Sequence, residues 1–153
     1  MAKAEERIKE LGIDLGAGQS PLGAYVESVQ TGNLLFLTGM LPIAGGKPAF
    51  VGKIGKELDA EQGRAAARVA ALNVLATARE HLGSLDKVTR VVRLTVFLAS
   101  AGDYNQPKVA DGASELFRDV FGADKMSVRS VIGVASLPLN LPVELEVTLE
   151  VAS

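Results

Sequence analysis

Residues 143–151 carry Val, Leu, Val, Leu and Val at every second position, with Glu, Glu, Thr and Glu between them. Side chains along a β-strand alternate between the two faces of the sheet. The segment therefore reads as a strand with one apolar, buried face and one face bearing three carboxyl groups. A chain built around such a strand needs a covering layer on one side of its sheet only.

The other elements supply that layer. Residues 59–82 read as a long helix opened by Asp59 and Gln62, a capping-box pair, and closed by Gly83. Its stripe of Ala66, Val69, Ala70, Asn73, Ala76 and Thr77 is small enough to lie close on a sheet. A second helix is predicted over residues 106–121, with Pro107 in its first turn and Gly122 at its end. Residues 88–98 form a long β-branched run suited to a central strand. Arg90 and Arg93 fall on opposite parities there, which predicts a bulge or bend. Further strands are predicted at 25–30 and 34–40, joined by Thr31-Gly32-Asn33, and at 128–135, with a weaker one at 49–54.

Ahead of these lie a short helix over residues 2–11 and a Gly/Pro/Ser-rich loop over 12–24. The order helix, β, β, β, α, β, α, β, β indicates an α+β fold with two helices on one face of the sheet. No repeat, linker or low-complexity tract interrupts it, so residues 1–153 read as one domain with residues 1–23 as an extension. At 153 residues the chain can bury a full core without a metal or disulfide staple.

Composition narrows the chemistry. With no cysteine, thiol chemistry is excluded, and with one histidine a multi-histidine metal site or a Ser-His triad has almost nothing to draw on. Sixteen Lys and Arg against eighteen Asp and Glu provide no basic field, and nucleic acid is not expected as a partner. The N-terminal residues are charged and lack the apolar stretch of a secretory signal, and no run is long enough to span a membrane. The cytoplasm is the expected location, with no membrane partner.

Two charged residues stand out. Arg129 begins an otherwise apolar strand, and a guanidinium is suited to gripping a carboxylate with paired hydrogen bonds. Glu144, read as lying on a neighbouring strand, could face the same cleft and orient a water or move a proton. A structural ion pair, or plain surface charges, fits the residues as well. His81 sits near a helix end, where the C-terminal dipole accounts for it. Ser114 and Ser130 have no nearby base, and Gly16-Ala17-Gly18 lacks the strand–helix context of a dinucleotide site.

Five segments taken in order resemble the reactive intermediate deaminase family, also called the YjgF family. They are Ala24-Tyr25-Val26, Leu37-Thr38-Gly39, Val96-Phe97-Leu98, Arg129-Ser130 with Val134-Ala135-Ser136-Leu137-Pro138, and Val143-Glu144-Leu145-Glu146. The N-terminal helix, Gly52-Lys53-Ile54-Gly55, Gly112-Ala113-Ser114 and Phe121-Gly122 look like its longer branch. The resemblance implies a chorismate-mutase-like α+β sheet assembled as a homotrimer, with a cleft between neighbouring subunits. It implies hydrolysis of 2-imino or enamine acids to 2-oxoacids and ammonia, with no metal and no cofactor.

Residue by residue, Arg129 would hold the substrate carboxylate and Glu144 would position the attacking water. Tyr25 would line the cleft, and the backbone of Thr38 and Gly39 would meet the ligand. Asp111 stands where the family usually has asparagine, Val131 where many members have cysteine, Met40 where glutamine is usual, and Ser127 where the longer branch often has histidine. An acidic Asp111 is expected to weaken carboxylate binding unless it faces elsewhere. Two other activities follow from the same residues: a non-catalytic trimer that binds a small carboxylate metabolite such as a 2-oxoacid, and a ribonuclease. The acidic charge and the absence of tryptophan count against the ribonuclease.

Overall fold

The C-terminal strand β7 (Val143–Val151) runs through the middle of a five-stranded sheet, where both its edges are paired and its apolar face is covered. The computed structural model describes residues 3–102 and 104–153. In chain order these residues form α1 (Ala4–Glu10), β1 (Ser28–Thr31), β2 (Leu34–Leu37), β3 (Ile43–Ala44), β4 (Lys47–Pro48), α2 (Ala60–Leu82), β5 (Val88–Ala99), α3 (Gln106–Phe121), β6 (Val128–Val134) and β7. The sheet order is β1-β2-β7-β5-β6, with β3 and β4 forming a separate two-stranded hairpin. Only the β5–β6 pair is parallel, as the α3 crossover between them requires. This is the mixed α+β layer expected from the sequence.

Val143, Leu145, Val147, Leu149 and Val151 are at most 2% exposed and meet a helix layer of α2 and α3. Each such side chain contributes about 1.5–3 kcal/mol of transfer free energy relative to exposure. The capping box forms as read: Asp59 accepts from the Gln62 N–H, and the Gln62 side chain accepts from the Asp59 N–H. Gly83 closes α2 in the left-handed region at φ 83°. The irregularity expected around Arg90 and Arg93 is present as register shifts between Val88 and Arg90 and between Val91 and Arg93.

Three predicted elements differ, and the first is the strand expected at 34–40, which ends at Leu37 and leaves Met40 only an isolated bridge to Leu145. The strand expected at 49–54 is absent. Phe50 and Gly52 both have positive φ, 60° and 123°, which no extended ladder accommodates, and Ile54 keeps only isolated bridges. The strand expected from residue 25 begins at Ser28, because a turn from the Tyr25 N–H to the Gly23 carbonyl occupies the preceding residues.

The short N-terminal helix docks on the helix layer. Glu5 accepts from Arg79 through Nε at 3.1 Å and Nη2 at 2.8 Å, and from the Leu85 N–H at 2.9 Å. Burial would push the Glu5 carboxyl up, but these donors hold it below its ordinary value. Among the described residues, no helix is long and apolar enough to cross a membrane.

Close packing of α2 on α3 depends on Gly112. A Cβ there would collide with the Arg64 carbonyl and stand 3.0 Å from its carbon. Gly112→Ala is therefore expected to destabilise the chain by about 1–3 kcal/mol in urea unfolding. An unchanged midpoint would contradict this packing.

Candidate active site

The expected site residues fall into two groups. The first gathers around Glu144. A bridge between Met40 and Leu145 lays residues 38–40 alongside the start of β7, with reciprocal N–H to carbonyl bonds of 2.8 Å. Gly39 thereby rests on the Glu144 side chain so closely that a Cβ would stand 2.9 Å from the Glu144 carboxyl carbon. The Thr38 N–H donates to the Glu27 carbonyl at 2.9 Å, which brings the segment carrying Tyr25 alongside. Tyr25 is 44% exposed, and its hydroxyl accepts from the Leu22 N–H at 2.8 Å.

Glu144 lies on the face of the sheet opposite the helices. It is half-buried and, among the described residues, its carboxyl has neither a hydrogen bond nor an ion pair. Burial, and then the nearby charge of Glu146, push its pKa up. A desolvated carboxyl without a partner costs stability, which makes Glu144 a candidate functional group.

Around it the open face is apolar and exposed. Val29, Phe36, Val128 and Ile132 are each at least 43% exposed. A hollow of about 580 Å³ lies between Phe36, Val92, Arg93, Glu146 and Thr148.

The second group lies on the helix side, at the β6 edge. Arg129 Nη1 donates to Asp111 Oδ1 at 2.7 Å and to Ser114 Oγ at 3.1 Å, both from α3. Asp111 and Ser114 are three apart on the helix, so they share a face. A cleft of about 360 Å³ opens there between Asp111, Ser114, Arg118, Ser127 and Arg129. Val131, two residues along the strand, faces the same side and packs against the core.

The structure does not place Arg129 and Glu144 together within one chain. β5 lies between their strands, so the expected neighbouring position of β6 and β7 is not met. Their side chains also leave opposite faces. Arg129 pairs in register with Leu94, a core position, whereas Glu144 pairs with Phe97 on the open side. Sequence reasoning placed strands by order, and the crossover through α3 moves β6 to the far edge.

Gln19, read only as loop, is another residue of the Glu144 group. It is 8% exposed, and its side chain donates to the Gly39 carbonyl at 3.2 Å and accepts from the Leu41 N–H at 2.9 Å. It thus fixes the backbone that presses on Glu144, and nothing in the local sequence pattern marks it. His81 is structural: its ring nitrogens meet Ser28 Oγ at 3.3 Å and Gln30 Oε1 at 2.9 Å, tying α2 to β1. Among the described residues, no cluster of His, Cys, Asp and Glu is arranged to hold a metal ion.

A mixed five-stranded sheet with its helices on one face defines an α+β domain of the chorismate-mutase-like kind. The chain belongs to the family described as "YjgF/chorismate mutase-like, putative endoribonuclease", whose model matches residues 5–148. The resemblance carried by the motifs therefore holds at the family level.

Among curated proteins the chain is 39% identical to Protein TCP17 of Trypanosoma cruzi, over 94% of this chain and 91% of that one. It is 32% identical to a 2-iminobutanoate/2-iminopropanoate deaminase of Dermatophagoides farinae, over 82% of this chain and 84% of that one. Among solved structures, the Agrobacterium tumefaciens protein Atu1372 superposes with a TM-score of 0.88 at 37% identity, covering 97% of this chain and 92% of that one.

The state of Glu144 has a measurable consequence. A carboxyl whose folded pKa is raised costs stability once the pH rises above its unfolded value, and costs nothing below it. Glu144→Gln is therefore expected to raise the melting temperature at pH 7. The gain should shrink as pH falls and vanish below the ordinary carboxyl value of 4.5. A variant less stable than wild type at pH 7 would show that the carboxylate has a stabilising partner.

Proposed function

We propose that this chain is a hydrolase of 2-imino and enamine acids that works as a homotrimer, with its site between neighbouring copies. The observation that carries the reading is Glu144: a half-buried carboxyl without a partner, pressed against the Gly39 backbone on a face its own helices leave open. The relative named as a 2-iminobutanoate/2-iminopropanoate deaminase supports the reaction class. The exposed apolar side chains of the open face support self-association, since a patch of that kind is rarely left to water.

In this reading the Arg129 edge of one copy supplies the carboxylate clamp, and the Glu144 face of its neighbour supplies the water. An imine carbon is already electrophilic, so positioning accounts for much of the acceleration required. Water held by Glu144 attacks that carbon of the N-protonated imine as the carboxylate takes a proton from the water, giving a neutral carbinolamine. Glu144 returns that proton to the amino nitrogen, the C–N bond breaks and ammonia leaves, and Glu144 takes the hydroxyl proton as the C=O of the 2-oxoacid forms, then gives it up to solvent. A carboxyl with a raised pKa suits both halves of this exchange. Tyr25, Thr38 and Gly39 shape the cleft, Asp111 flanks the clamp, and Val131 forms its apolar floor. The reaction uses no cofactor, and the substrate is a small carboxylate metabolite.

One observation favours a second reading, a trimeric binding protein without turnover: Arg129 is already engaged by Asp111 at 2.7 Å. The ribonuclease reading gains nothing from the face that carries Glu144, Glu146 and Glu150, whose charge would repel a phosphate backbone.

The test generates 2-iminoacids in situ with an amino-acid oxidase and traps them with semicarbazide. Wild-type protein is expected to lower semicarbazone formation, and Arg129→Ala and Glu144→Gln are each expected to lose that effect by about 100-fold or more. Full activity in either variant removes that residue from the mechanism. No effect of wild type on aliphatic, aromatic or acidic imines would leave the binding protein.

A further inference from the structure

The Arg129 clamp is only half occupied by its partners. Asp111 and Ser114 both meet Nη1. The other edge of the guanidinium, Nε and Nη2, has no hydrogen-bond or ion-pair partner among the described residues. That edge presents two parallel N–H donors in the geometry that binds a carboxylate. Asp111 likewise uses one oxygen, Oδ1, and leaves Oδ2 without a hydrogen-bond or ion-pair partner among the described residues.

The neighbouring charges have partners. Glu115 is paired with Arg64 on α2, and Arg118 stands 3.7 Å from Asp119. The cleft therefore offers a ligand the open fork of Arg129 and, beside it, one anionic oxygen of Asp111, with the Ser114 and Ser127 hydroxyls nearby and Arg118, only loosely paired, at its rim.

A ligand with a single negative charge would meet Arg129 with Asp111 opposing it. A ligand bearing both charges on adjacent carbons meets both groups favourably. We propose that this cleft selects zwitterions: an α-amino or protonated 2-imino acid, its carboxylate on the Nε–Nη2 edge of Arg129 and its cationic nitrogen donating to Asp111 Oδ2. Asp111 is then the specificity-determining residue of the site, and the 2-oxoacid, which lacks the cation, is the weaker ligand. The assignment rests on the proposed deaminase reading and deepens it. A protonated iminium is more electrophilic at carbon than the neutral imine, so the group that recognises the substrate also holds it in its reactive form. The product loses the contact with Asp111 when ammonia departs, which favours its release.

The experiment is calorimetric titration of the full chain with two probes of one carbon skeleton, L-2-aminobutanoate and 2-oxobutanoate. Wild type is expected to bind the amino acid about tenfold or more tightly, the scale of one charge-assisted hydrogen bond. Asp111→Asn keeps the size of the side chain and an oxygen for Arg129 but loses the charge, and its preference should vanish or reverse. Should that variant not fold, wild type decides the matter alone: the preference must disappear as the pH is raised past the ammonium pKa of the probe.

Equal or tighter binding of 2-oxobutanoate by wild type, an unchanged ratio in Asp111→Asn, or binding of neither probe overturns the proposal. Imine trapping separates this from the parent reading. Turnover with a preference for the oxoacid refutes the zwitterion site alone, while a preference for the amino acid without turnover upholds the site and removes the catalysis.

Discussion

The alternation along β7 organises this molecule. Its apolar side chains, at most 2% exposed, draw α2 and α3 onto one face of the sheet. Because side chains of a strand alternate without choice, the same burial forces Glu144, Glu146 and Glu150 onto the other face. β7 is hydrogen-bonded on both sides, to β2 and to β5, so this orientation cannot relax by slippage without exposing the core. A one-residue shift would bury three carboxyl groups under the helices. The open face, with its raised-pKa acid, is thus a direct consequence of how the core is built.

That constraint also separates the two groups of residues that could act on a substrate. The Arg129 clamp depends on α3, since Asp111 and Ser114 hold its guanidinium, and α3 belongs to the covered face. Glu144 depends on the loop through Gly39, which Gln19 of the N-terminal extension fixes in place. The sheet stands between them. The chemistry proposed for this family member requires both, so the open face of one copy must meet the β6 edge of another. The exposed Val29, Phe36, Val128 and Ile132 would give such a contact an apolar driving force.

Local signals in the chain were sufficient for most of the fold. α3 and β7 have the predicted boundaries, Asp59 and Gln62 form the predicted capping box, and the mismatch of Arg90 and Arg93 marks a real irregularity. These features depend on neighbours within a few residues. The segment at 49–54 did not follow its composition: Phe50 and Gly52 have positive φ, and the Gly52 N–H bonds the Asn140 carbonyl, a partner far away in sequence, instead of a strand ladder. The site was legible as residues but not as geometry. Arg129 and Glu144 carry recognisable motifs, yet which strand separates them is set by the crossover topology. Gln19 was invisible for the same reason, since its partners Gly39 and Leu41 lie about twenty residues away.

The central claim is that the site is completed between copies, and mixing two inactive chains tests it most directly. Arg129→Ala and Glu144→Gln would be co-refolded in equal amounts, and imine hydrolysis compared with each variant alone. An Arg129 edge from one variant then meets a Glu144 face from the other at about one quarter of the interfaces, by random assortment in a closed ring. The account expects recovery of about that share of wild-type activity, in particles of three times the 16.0 kDa chain mass. Mixed trimers that stay as inactive as their parents would contradict it.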